Sequence, residues 1–177
     1  MAYKDFIGTK SWSRGQRLEA DFGALLKKTY PDARRATRLE QFKSIDWICE
    51  KGTIDVKAMK RLGTGQPVQD EFIWVEFKNN IGRDGWLYGE QDWLAFEAVE
   101  KYVIVRRCDL ADLSEYLCDL DDKVTKSSDA LYKSYTRSMH KDVISIIRFD
   151  DLYKISKGTL SIVAVSLLRC EWVGVPF

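Results

Sequence analysis

Asp55-Val-Lys57 sets a carboxylate and an ammonium two residues apart, and Asp46 stands nine residues upstream. On a β-strand, side chains two apart point the same way, so Asp55 and Lys57 share a face if this segment is extended. Ser44-Ile-Asp-Trp-Ile-Cys-Glu-Lys-Gly-Thr-Ile-Asp-Val-Lys-Ala-Met-Lys60 supplies two β-rich runs around Lys51-Gly52. With Lys51-Gly52 as a two-residue hairpin turn, glycine supplying the positive φ, Glu50 pairs with Thr53, Ile48 with Asp55 and Asp46 with Lys57. Asp46 and Asp55 then become diagonal neighbours, roughly 7–8 Å apart at Cα. The opposite face carries Ile45, Trp47, Cys49, Ile54, Val56 and Ala58 and is expected to be core.

Two carboxylates so placed suit one hard divalent cation, Mg²⁺ or Mn²⁺, with the Val56 carbonyl as a further oxygen. Such a cation neutralises charge on a phosphodiester and lowers the pKa of its bound water. Lys57 then orients that water or stabilises the charge that develops. The bland alternative is a solvated ion pair on an exposed strand, worth well under ~1 kcal/mol. A rival register also exists. Glu76-Phe-Lys78 is a second acid-x-Lys on a strand-like run, with Trp74 on the same face, and Asp55 would then be the first acid. Asp55 belongs to both registers.

The elements that must position these groups follow from periodicity. Leu18, Phe22, Leu25 and Leu26 recur at helical spacing, so a helix is expected from a Ser13 cap to about Lys28, stopped by Pro31. Glu19 lies on the flank of its apolar stripe. A strand-like stretch follows at Arg34, Arg35, Thr37 and Arg38. Further strands are expected over 72–78, 93–96, 102–105, 143–149 and 160–168, the last also compatible with a buried helix. A short helix is expected over 110–117, and 119–129 is expected to be loop. Helix, antiparallel strands and mixed elements together point to α/β or α+β.

The 177 residues suit a single domain, and 45% apolar with 12% aromatic content is enough for a core. Residues 1–61 hold 14 Lys/Arg against 8 Asp/Glu, a balance of +6; residues 62–177 hold 14 against 19, a balance of −5. A basic N-terminal third suits a polyanion, with Arg34, Arg35, Arg38, Lys60 and Arg61 as candidate phosphate contacts. Trp74, Trp86 and Trp93 are candidates for base stacking, although core packing is their commoner role. Cys49, Cys108, Cys118 and Cys170 form no C-x-x-C pair and His140 is alone, which argues against zinc. Scattered cysteines in mostly apolar runs, no apolar leader and no membrane-length apolar run together lead to the expectation of a cytoplasmic protein.

Glu19 on a first helix, Asp46 at the end of one strand and Asp55-Val-Lys57 on the next resemble the PD-(D/E)XK nuclease superfamily, also called restriction-endonuclease-like. The resemblance covers about residues 13–107. Gly85-Trp-Leu-Tyr-Gly and Tyr102-Val-Ile-Val-Arg-Arg look like its phage and bacterial members. It departs in having Ile45 where the family places proline, and in a short step from Asp46 to Asp55. The resemblance implies a central mixed β-sheet flanked by helices, metal on Glu19, Asp46 and Asp55, assistance from Lys57, DNA as substrate, and by analogy a homodimer. A non-catalytic nucleic-acid-binding domain on the same scaffold and an RNA-directed nuclease are the alternatives.

Overall fold

A computed structural model describes residues 10–62 and 67–161. The apolar stripe forms helix α1, Lys10–Thr29, which starts three residues before the expected Ser13 cap. Strands β1 (Arg34–Arg35), β2 (Trp47–Cys49), β3 (Gly52–Lys57), β5 (Trp93–Ala98), β6 (Lys101–Arg106) and β10 (Ser156–Ser161) form one six-stranded sheet in the order β1-β2-β3-β5-β6-β10. Strand β3 runs parallel to β5, and every other pairing in this sheet is antiparallel, so the sheet is mixed. Of the segment expected at 160–168, only residues 160 and 161 fall in β10; residues 162–168, like Cys170, lie outside the described residues.

A second sheet joins β4 (Phe72–Lys78), β9 (Val143–Arg148), β8 (Lys133–Tyr135) and β7 (Asp119–Val124), in that order. Strand β7 occupies part of the stretch expected to be loop. Helix α3 (Arg107–Leu117) and the five-residue α4 (Phe149–Tyr153) complete the mixed α/β arrangement, with the four-residue α2 (Arg38–Gln41) after β1. The Arg38 end of the expected strand is therefore helix. Thr37 caps it: its hydroxyl accepts from the Glu40 N–H, and Glu40 reaches back to the Thr37 N–H.

The six-stranded sheet is buried on both faces, which explains the continuous apolar runs of β5 and β6. On one face α1 packs Leu18, Phe22, Leu25 and Leu26 onto Trp47, Ile54, Val56, Ala95, Tyr102 and Ile104. On the other, Leu94, Phe96, Val103 and Val105 meet Ile73, Val75 and Phe77 of β4, Ile147 of β9, and residues of α3 and α4. One side of the mixed sheet thus carries a helix and the other a second sheet. Among the described residues, no helix is long and apolar enough to cross a membrane.

Candidate active site at the Asp46–Lys57 hairpin

The hairpin forms, but its turn is one residue earlier than expected. Cys49 pairs with Gly52, Ile48 with Thr53 and Trp47 with Ile54, so Glu50-Lys51 makes the turn. Gly52 opens β3 at φ 116°, in the region that favours glycine. The pairing of Ile48 with Asp55 and of Asp46 with Lys57 is corrected accordingly. The paired register ends with Trp47 opposite Ile54, and one residue earlier the Asp46 N–H donates to the Ile54 carbonyl at 2.8 Å. Moving the turn by one residue shifts each partner by two, and side chains alternate with period two, so Trp47 still shares a face with Ile54, and Asp55 still shares one with Lys57. Trp47, Ile54 and Val56 are core as expected and pack against α1, with Cys49 and Ala58 beside them.

Asp55 is only 4% exposed. The Lys57 ammonium stands 2.6 Å from its Oδ2, yet that oxygen accepts no hydrogen bond of proper geometry, so the contact is an ion pair. Asp46, half-buried, accepts the Val56 N–H at Oδ2, 2.8 Å away. Burial pushes the Asp46 carboxyl up to about 7, and the neighbouring Asp55 charge adds to the effect, with a further contribution from Glu19. Two acids are thus crowded where one cannot easily hold its charge.

Helix α1 brings Glu19 to the same region. The Trp47 indole N–H donates to the Glu19 carbonyl at 2.9 Å. At Gly23 a β-carbon would stand 1.8 Å from the Trp47 ring, so only glycine permits this close crossing. Arg14 clamps the helix start by donating to the Met59 carbonyl at 2.6 Å and to Glu97 at 2.9 Å, just past the end of β3. Glu19, Asp46, Arg35, Arg38, Gln16, Gln41 and Phe42 line one cleft of about 620 Å³.

The remaining candidates divide. Arg35 pairs with Glu19, and Arg34 holds both carboxylate oxygens of Glu40, so both guanidiniums are engaged within the fold. Arg61 is exposed, and Lys60 lines a small cavity beside Lys57. Glu76 and Lys78 sit on β4, in the other sheet, and Lys78 is exposed. Glu76 nevertheless lies within electrostatic reach of Lys57, and burial raises its carboxyl above the usual range. Trp86 was missed as part of the site: the Lys57 ammonium lies 4.6 Å from its ring centroid, a cation–π contact. Trp74 packs near Tyr135, and Trp93 beneath Arg106. Cys49, Cys108 and Cys118 are free thiols, with Cys118 buried and Cys108 exposed.

Among the described residues, no three acidic, histidine or cysteine groups cluster as a ready metal cage. The donor set still fits Mg²⁺, which keeps several waters and is commonly held by one or two carboxylates together with substrate phosphate. Asp55 Oδ2, buried, without a hydrogen bond and met by the Lys57 ammonium, is an oxygen such an ion would share with that lysine. Comparison with models of known protein families, with curated proteins and with solved structures finds no match.

Proposed function

We propose that this protein is a Mg²⁺-dependent phosphodiesterase that cleaves DNA, built on a restriction-endonuclease-like scaffold. The observation that carries this reading is the crowding of Asp46 and Asp55, with Asp46 pushed up to about 7 and Lys57 ion-paired beside them. A carboxyl raised by burial and by a second acid, in a cleft, marks a candidate functional site. Asp46, Asp55 and the Val56 carbonyl would hold the cation, with Glu19 at the edge of the site. Bound there, it would neutralise charge on the phosphate and make a water nucleophilic at neutral pH.

The chain's own groups supply the rest. The Val56 N–H fixes one oxygen of Asp46 and leaves the other for the ion. Lys57, steadied by Asp55 and the Trp86 face, presents an ammonium to the charge developing on the phosphate or to the attacking water. Arg38, Lys60 and Arg61 would meet the DNA backbone. The non-catalytic alternative gains from one observation, the absence of a three-ligand cage among the described residues. Metal dependence separates the two. Purified protein should nick supercoiled plasmid with Mg²⁺ or Mn²⁺ and stop with EDTA, whereas binding without any nicking in either metal would leave a DNA-binding module.

A further inference from the structure

Helix α2 buries none of its residues, yet it is held firmly. Thr37 and Glu40 form a full capping box at its start. Arg34 grips Glu40 with two hydrogen bonds, 3.0 and 2.8 Å long. A helix of four residues has little stability of its own, so these contacts fix it. What they display is apolar: Leu39 is 77% exposed and Phe42, at the helix end, is 68% exposed. Spaced by three, the two side chains sit on one side of the turn. Immediately afterwards Ser44 takes φ 61°, and Ile45 returns to the core.

The location of this patch points to an occupant. Phe42 lines the same cleft as Asp46 and Glu19, and the other walls are Arg35, Arg38, Gln16 and Gln41. With Arg35 tied to Glu19, the cleft offers a nucleic-acid strand Arg38 and two amides for its phosphates, and an apolar step for its base faces. An intact duplex yields its base faces to a protruding Phe or Leu only at the cost of unstacking a step, whereas an unpaired or unstacked base offers them without that cost.

We propose that Leu39 and Phe42 form a wedge that packs against unpaired or unstacked bases beside the scissile phosphate, so that the protein selects DNA with locally opened strands over intact duplex. This rests on the nuclease reading of the adjoining acids, but its test does not require cleavage. Binding of a fluorescein-labelled duplex, and of the same duplex with a central unpaired bubble, is followed by anisotropy in EDTA. The wild type should prefer the bubble. Leu39→Ala/Phe42→Ala, two exposed changes that leave the core untouched, should weaken bubble binding roughly five- to hundredfold, the range expected when a base–aromatic stack is removed. Its duplex affinity should change little. Phe42→Trp, which keeps an aromatic face, should preserve or strengthen the preference. A wild type without preference, or a double variant that retains it, overturns the wedge. So does a double variant whose only loss is concentration-dependent dimerisation in sedimentation, which would make the patch a contact between copies. Nicking that fails in Mg²⁺ while bubble preference persists would sink the nuclease reading alone.

Discussion

At the scale of single residues, the decisive feature is a carboxyl that resists ionising. Asp46 has its ordinary value of 3.8 raised to about 7, by burial first and Asp55 second. The folded state therefore binds the proton more tightly than the unfolded chain. The stability this gives to metal-free protein is fully present below about pH 4 and is lost as pH rises through about 7. Asp46→Asn removes a charge that the site tolerates poorly, and above pH 7 it should stabilise the metal-free protein by up to about 4 kcal/mol. Urea unfolding across this pH range should show the wild type losing stability and the variant holding it; parallel pH curves would contradict the assigned environment. Metal affinity should change the opposite way, rising through the same window as Asp46 gives up its proton. That Asp55 and Lys57 meet was legible from spacing alone, because a two-residue period fixes which side chains share a strand face. Trp86 was not, since nothing in its local sequence says that a loop will carry it to Lys57.

At the scale of elements, the site depends on how closely α1 crosses the hairpin. Gly23 sits against the Trp47 ring with no room for a methyl group. Elsewhere in a helix, alanine would be favoured over glycine by about 1 kcal/mol. Here the forced displacement should cost about 1–3 kcal/mol and outweigh that gain. Gly23→Ala should therefore lower the melting temperature by several degrees. It should also weaken activity by more than the stability loss explains, because Glu19 moves with the helix. A variant more stable than wild type would show that the crossing is looser than described. The hairpin's existence followed from its β-rich runs and glycine, but its turn did not, because Lys51-Gly52 and Glu50-Lys51 both close a two-residue loop. Strand β7 was missed because Asp119–Val124 is mostly polar and sits at the sheet margin, where exposure removes the alternating pattern.

At the scale of the whole molecule, charge and layering set what can approach the site. The second sheet was the least legible feature: β4 pairs with β9 some 70 residues onward, and local patterning carries no signal for such a pairing. The basic balance of residues 1–61 was legible, but its use is partly internal, since Arg34 and Arg35 are tied to Glu40 and Glu19. Replacing Arg34, Arg35 and Arg38 together by alanine should still flatten the dependence of DNA affinity on salt, by about one unit of log–log slope for each phosphate left without its cation. Anisotropy titrations over a range of NaCl read this directly, and an unchanged slope would move the DNA face elsewhere. The central claim is tested most directly by plasmid nicking with Asp55→Asn beside Lys57→Ala, at matched folding by circular dichroism and with Mg²⁺ affinity read by calorimetry. Asp55→Asn should lose both metal binding and nicking. Lys57→Ala should keep or tighten metal binding while its rate falls on the order of 10²–10³. Wild-type nicking by Asp55→Asn would rule out this active site in either register.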